Sequence, residues 1–269
     1  MTDLLARPDV AVRGDVGDGR YRLGDVVGRG RRSVVHTATD DRLRRTVAVR
    51  LFEDTVSPDD LVAAASVWAP GTARVFDAGV EDDGTGQRRA YLVREFVAGR
   101  SLQQLTDNVE FRPATVAGVA AAVATTLAAL HREGVDHGSV HGGNVLVRDA
   151  VVTPMRWAGT DGSYLTDLDV VLTDLGLGRP RCESSTGEDV RALGRTVLAT
   201  LTRRRVVGSR TARAALATLH HRGPLSPLEA GRRREWLDLL SALTDDRHAP
   251  GAVQAAAAFR ALHRDAITG

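Results

Sequence analysis

The stretch VDHGSVHGGNVLV, Val135–Val147, decides how this chain is read. Six mostly small residues separate His137 from Asn144, and Gly138, Gly142 and Gly143 argue against a helix there. Val145, Leu146 and Val147 then form a short apolar run of strand character. Upstream, Val116, Val119, Ala120, Val123, Leu127 and Leu130 recur at helical spacing and predict a long buried helix ending near Gly134. Downstream, a second short strand is expected around Val170–Thr173, followed directly by Asp174-Leu175-Gly176. The order is helix, polar loop, strand, strand and an acidic D-x-G turn.

Toward the N-terminus the pattern changes. YRLGDVV, SVVHTAT, TVAVRLF, ARVFDAG and AYLVREFV, between Tyr21 and Val97, are short runs rich in Val, Phe and Tyr, separated by Gly, Asp and Arg. SPDDLVAAASVW interrupts them with helix-start chemistry: Ser57 as N-cap, Pro58 at the first helical position and two acids in the first turn. Beyond Ser101 helical spacing dominates. Val190, Leu193, Val197, Leu198 and Leu201 mark one helix, and REWLDLLSAL and AVQAAAAFRALHRD mark two more. The expected class is α+β: a flexible tail over 1–18, a small β-rich lobe with one helix over 19–97, and a larger, mainly helical lobe over 98–269.

Composition bounds the function. The chain has 269 residues, 43% hydrophobic but only 4% aromatic, so Ala, Val and Leu must build its core. It contains no lysine, so all 36 basic residues are arginine, and the net charge is only +2. The short clusters Arg203–Arg205 and Arg232–Arg234 lack aromatic platforms apart from Trp236, which argues against a nucleic-acid binder. Cys182 is alone, so no internal disulfide forms. No run approaches 18 apolar residues without a charge, and no signal-peptide core opens the chain. A cytoplasmic protein without membrane insertion is expected.

From about residue 20 to 265 the chain resembles a bacterial, actinobacterial-type Ser/Thr protein kinase domain. A glycine-rich GRGRRSVV (Gly28–Val35), the strand VAVR (Val47–Arg50), the H-x6-N loop and the D-x-G turn stand in that family's order. The resemblance implies a two-lobe kinase-like fold. It implies that Gly28 and Gly30 approach nucleotide phosphates, that Val35, Ala48 and Leu146 sandwich adenine, and that Asn144 and Asp174 ligand Mg²⁺. Arg94 falls at the back of the nucleotide pocket, where an apolar residue is usual. It is expected to fill the space behind adenine and to pair with Asp174 or Asp60. His137 and Asp189 keep structural positions, and His141 stands where such kinases have a catalytic-loop lysine.

The departures converge. The third loop glycine is Ser33. The lysine that holds the α- and β-phosphates is Arg50, a longer and planar base, and its helix partner would be Asp60, or Asp59, instead of Glu. Ser139 replaces the aspartate that accepts the substrate hydroxyl's proton. A serine hydroxyl cannot serve as that base, a loss of about 100- to 10,000-fold in rate. HGSVHGGN also resembles the loop of small-molecule phosphotransferases related to aminoglycoside kinases, which need the same aspartate. Between Gly176 and Asp189 only twelve residues, Leu177–Glu188, replace a long activation segment ending in Ala-Pro-Glu. Ala249 aligns with the arginine that would pair with that glutamate. Residues 148–169 are an insertion carrying Met155, Trp157 and Tyr164.

The sequence therefore predicts a pseudokinase, with no intact catalytic set and no required cofactor, acting as a regulatory or scaffolding module. Its partner would be a protein bound through the helical lobe or the insertion. By resemblance to kinase-like domains of the actinobacterial group, that partner would be a cell-envelope or forkhead-associated protein. Ser184, Ser185 and Thr186 are candidate phosphorylation sites for recruiting such a reader. Two alternatives stand beside this reading: a weakly active or atypical ATP-dependent phosphotransferase, and a nucleotide sensor that binds ATP and Mg²⁺ without turnover.

Overall fold

The computed structural model describes residues 14–268 apart from 31, 54, 83–85, 87, 109–110, 149–151, 158–159, 166–168, 176–184 and 223–231. The side chains of 152–157, 160–165, 185, 221–222 and 265–268 also lie outside the description. The chain folds as two units. One comprises Met1–Ser66 with Arg74–Phe96, the other Val67–Ala73 with Val97–Gly269.

The first unit is built on a six-stranded antiparallel sheet. Its strands are β1 (Asp15–Val16), β2 (Tyr21–Arg29), β3 (Ser33–Asp40), β4 (Arg45–Phe52), β5 (Val75–Asp82) and β6 (Arg88–Glu95), in the order β1-β2-β3-β4-β6-β5. Alternation does the work: Val47, Val49 and Leu51 of β4 bury one face with Tyr21, Tyr91 and Val93. Helix α1 (Pro58–Ser66) starts as its sequence predicts, with the Asp59 N–H donating to Ser57 Oγ at 3.2 Å. At one end of the sheet Arg20 clamps Asp40 through two donors, at 3.0 and 2.9 Å. That clamp, with the Leu43 N–H and Arg45, holds the fully buried Asp40 carboxyl near a pKa of about 2, against the opposing effect of burial.

Residues 15–16, which fall within the flexible tail expected over 1–18, form a strand. Val16 is buried, β1 joins the sheet edge, and the Gly17 N–H donates to Glu81 Oε2 at 2.8 Å. Tertiary pairing, invisible in a polar Gly/Asp-rich stretch, orders it.

In the second unit β7 (Gly99–Ser101), β8 (Val145–Arg148) and β11 (Asp169–Leu172) form a sheet in the order β11-β8-β7. Residues 67–73, placed in the first lobe by sequence, go with this unit. Leu172 N–H donates to Gly71 O at 2.8 Å and Ala73 N–H to Leu172 O at 3.1 Å, strapping the segment to β11. The insertion contributes an antiparallel hairpin, β9 (Val152–Trp157) with β10 (Thr160–Leu165), which carries Met155, Trp157 and Tyr164.

The helices are α2 (Leu102–Asn108), α3 (Pro113–Arg132), α4 (Ser185–Thr202), α5 (Ser209–Arg222), α6 (Arg233–Leu243) and α7 (Ala252–Thr268). The centre is α3, whose Ala117, Ala120 and Ala124 are fully buried, as are Ala255, Ala256 and Phe259 of its main packing neighbour α7. Small residues let helix axes approach closely. The expectation that no uncharged run approaches 18 apolar residues fails here. Pro113 to Leu130 carries no charge and α3 is long and apolar enough to cross a membrane, yet most of it is buried within the unit.

Gly99 shows how tightly this unit is built, since a Cβ there would lie 2.2 Å from Val147 O. We expect Gly99→Ala to displace β7 from β8 and to cost on the order of 2 kcal/mol in chemical denaturation. An unchanged denaturation midpoint would show that the strand pair yields without cost.

Candidate functional site

In the second unit the opening stretch is a loop between α3 and β8, held from behind by one carboxylate. Asp189 of α4 is buried. Its Oδ2 accepts the His137 N–H at 2.7 Å and its Oδ1 accepts the Gly138 N–H at 2.7 Å. His131 Nε2, at 2.9 Å from Oδ2, donates the third hydrogen bond. Gly138 has φ 71, so two successive N–H groups converge on the anion as a backbone nest. A side chain at 138 would strain that turn. Helix α4 starts at Ser185, so Asp189 sits one turn inside it, and Ser185 and Thr186 belong to its first turn and not to a loop.

His137 is fully buried and reads the loop from inside. Its Nδ1 accepts the Ser139 N–H at 3.2 Å, so the ring proton sits on Nε2, which donates to Thr173 O at 3.1 Å. Burial pushes its pKa down to about 4, although the negative charges of Asp189 and Asp174 pull the other way. The Thr173 N–H donates to Asn144 O at 2.9 Å. These two bonds tie the loop to the residue just before Asp174.

Asn144, also buried, turns its amide onto the substituted position. Nδ2 donates to Ser139 O at 2.9 Å and to Ser139 Oγ at 3.1 Å. With both amide hydrogens used, Oδ1 is its remaining polar atom. Asp174, half-buried, has φ 62, a left-handed conformation that costs a non-glycine residue on the order of 1 kcal/mol. An amide oxygen and a carboxylate are hard donors of the kind Mg²⁺ takes together with nucleotide phosphates, so this pair fits the ion that the resemblance implies. His141 is exposed and closes its own turn, its Nδ1 accepting the Gly143 N–H at 3.1 Å. Leu146 lies on β8 opposite Val171 and packs with Ala73, Val97 and Val171. His131 and Thr173 are the contributors that sequence reading missed. His131 lies on a helix with no pattern to single it out, and Thr173 acts largely through its backbone.

In the first unit the remaining candidates lie on neighbouring strands. Gly28 pairs with Val35, and the Gly30 N–H donates to Ser33 O at 2.8 Å, closing the β2–β3 turn. Ser33 is buried, and its Oγ accepts Arg50 Nε at 2.9 Å. The Arg50 guanidinium also stacks over Phe52, 4.8 Å from the ring centre. The two substituted positions, Ser33 and Arg50, thus contact each other. Arg94 is buried near the end of β6, opposite Ala48 on one side and Val75 on the other, with Nη1 3.5 Å from Glu95 O. The activation-segment remnant, including Gly176 and Ser184, lies outside the described residues.

No family model matches the chain. It is 31% identical over 145 residues to the probable serine/threonine-protein kinase PknB of Bifidobacterium longum, an overlap of 49% of this chain and 21% of that protein. It is 31% identical over 194 residues to the serine/threonine-protein kinase PksC of Streptomyces coelicolor, or 66% of this chain and 34% of that one. The crystal structure of Rad53 1–466 in complex with AMP-PNP superposes with a TM-score of 0.63 at 19% identity, covering 89% of this chain and 64% of the chain in that structure. This is a protein-kinase-like domain. Its fold is the kinase fold, and its homologues are bacterial Ser/Thr protein kinases at about 30% identity. The chain spans about a fifth to a third of the length of the curated relatives it matches.

The kinase-like loop depends on a neutral His137. Its pKa is lower folded than unfolded, so between about 6.5 and about 4 the unfolded chain binds more protons, and stability falls as pH falls through that window. The expected loss is on the order of 3 kcal/mol. Denaturant melts at stepped pH should show it in the wild type and lose most of it in His137→Gln. A pH slope of the same size in both proteins would assign the effect to other groups.

Proposed function

We propose that this kinase-like domain is a pseudokinase, one that keeps the loop architecture of its relatives, does not transfer phosphate, and acts by binding a protein partner. The observation that carries the reading is Ser139. It stands where the relatives' motif places the aspartate base, and its hydroxyl accepts the Asn144 amide. A hydroxyl has no protonation state near neutral pH that could take a proton from a substrate alcohol. Arg50 supports the same reading. Its Nε is engaged by Ser33, and its donors differ in geometry from those of a lysine ammonium. The purified chain incubated with radiolabelled ATP, Mg²⁺ and both protein and small-molecule acceptors should give no transfer above the level of Asp174→Asn. Mg²⁺-dependent turnover that Asp174→Asn abolishes would replace this reading with that of an atypical phosphotransferase.

Asn144 and Asp174 favour a second reading, a nucleotide sensor without turnover, because both oxygen donors that fit Mg²⁺ persist. A nucleotide at 100 times its Kd would stabilise the fold by about 2.7 kcal/mol. Thermal-shift titration with ATP and ADP, with and without Mg²⁺, measures this directly. Arg94→Met should raise the nucleotide affinity by removing a buried guanidinium from β6. Flat melts for both proteins would retire the sensor.

A further inference from the structure

Charge is distributed unevenly along this chain. Residues 190–228 hold eight of the 36 arginines and none of the 34 acids, leaving 28 arginines against 34 acids elsewhere. Codon-driven enrichment in arginine would scatter the residue among the acids, as in the rest of the chain. Two of the eight, Arg191 and Arg195, pair with Glu188 on α4. Arg203, Arg204, Arg205, Arg210 and Arg213 are all exposed on the α4–α5 connection and the start of α5. Of these, Arg204, Arg205, Arg210 and Arg213 make no ion pair among the described residues.

Local structure does not account for this placement. Positive charge at the end of α4 suits the helix dipole, but Arg210 and Arg213 lie in the first two turns of α5, where it opposes the dipole. No acid sits in that first turn to offset them. Arg203 adopts φ 51 just after α4, a left-handed position that glycine would fill at lower cost. The arrangement works against the stability of the helix that carries it. Ala212, Ala215 and Leu219 are the buried side of α5, which leaves Arg210 and Arg213 facing outward.

We propose that this arginine surface docks an acidic segment of a partner protein. Guanidinium forks bind carboxylates through paired donors. Charges spread over a connection and a helix side match carboxylates strung along a peptide better than one phosphate, which needs several donors converging on a point. Residues 190–228 contain no aromatic residue to stack on nucleic-acid bases. Val207, 65% exposed, is the one large exposed hydrophobic residue among the described part of this stretch, which is no membrane-inserting face. The proposal holds whether or not the domain turns over ATP.

Fluorescence anisotropy with a labelled Glu/Asp-rich peptide tests it. Binding should weaken steeply with salt, and Arg204→Glu/Arg205→Glu and Arg210→Glu/Arg213→Glu should each weaken it at least about tenfold. The control Arg42→Glu/Arg88→Glu, on the first unit, should change it less than about twofold. Arg210→Glu/Arg213→Glu should also raise the melting temperature, which separates lost docking from lost folding. No salt-sensitive binding, or an equal loss in the control, would overturn the proposal. So would tighter binding to a phosphorylated peptide, to phosphatidylserine vesicles or to duplex DNA.

Discussion

The Asp189 carboxylate is the constraint on which the rest of the second unit's site depends. A buried anion is costly unless its oxygens are filled with hydrogen bonds, and here two backbone N–H groups and one imidazole fill them. In return the anion sets the path of the chain at residues 137 and 138. Everything downstream follows by contact. His137 is turned inward and stays neutral, its Nε2 reaches Thr173, and Thr173 reaches the Asn144 carbonyl. None of these bonds involves the side chain at 139, so the path of the loop is set without it.

In the first unit, Ser33 and Arg50 look like two independent departures when read along the chain. In the folded sheet they are one hydrogen bond, with the serine hydroxyl meeting the guanidinium and Phe52 supporting it through its ring. Reverting either alone would leave a buried hydroxyl or an arginine without that partner. The same logic operates at the sheet's end, where the buried Asp40 is tolerated because Arg20 and Arg45 neutralise it.

Elements with strong periodicity were legible beforehand. Val47, Val49 and Leu51 alternate, the α3 residues repeat at helical spacing, and Ser57-Pro58 announces α1. The overlooked elements have weak patterns for identifiable reasons. Helix α5 buries two alanines and one leucine, Ala212, Ala215 and Leu219, so its apolar side carries few large residues to mark it in the sequence. β1 is two residues long and exists because β2 and Glu81 are there to receive it. β7 depends on a bare Gly99 backbone pressed against Val147. The attachment of 67–73 to β11 is a backbone contact, which no side-chain pattern reports.

Residue identities alone determined the strongly periodic elements, the kinase-like motifs and the serine at 139 where those motifs lead one to expect an aspartate, because those are statements about which residues are present and how they repeat. The tertiary structure decided which groups meet. It paired Ser33 with Arg50, turned the Asn144 amide onto Ser139, recruited His131 and Thr173, and left arginines exposed along the α4–α5 connection and the start of α5. Those outcomes depend on hydrogen-bond geometry and burial between residues far apart in the chain, which short-range periodicity does not encode.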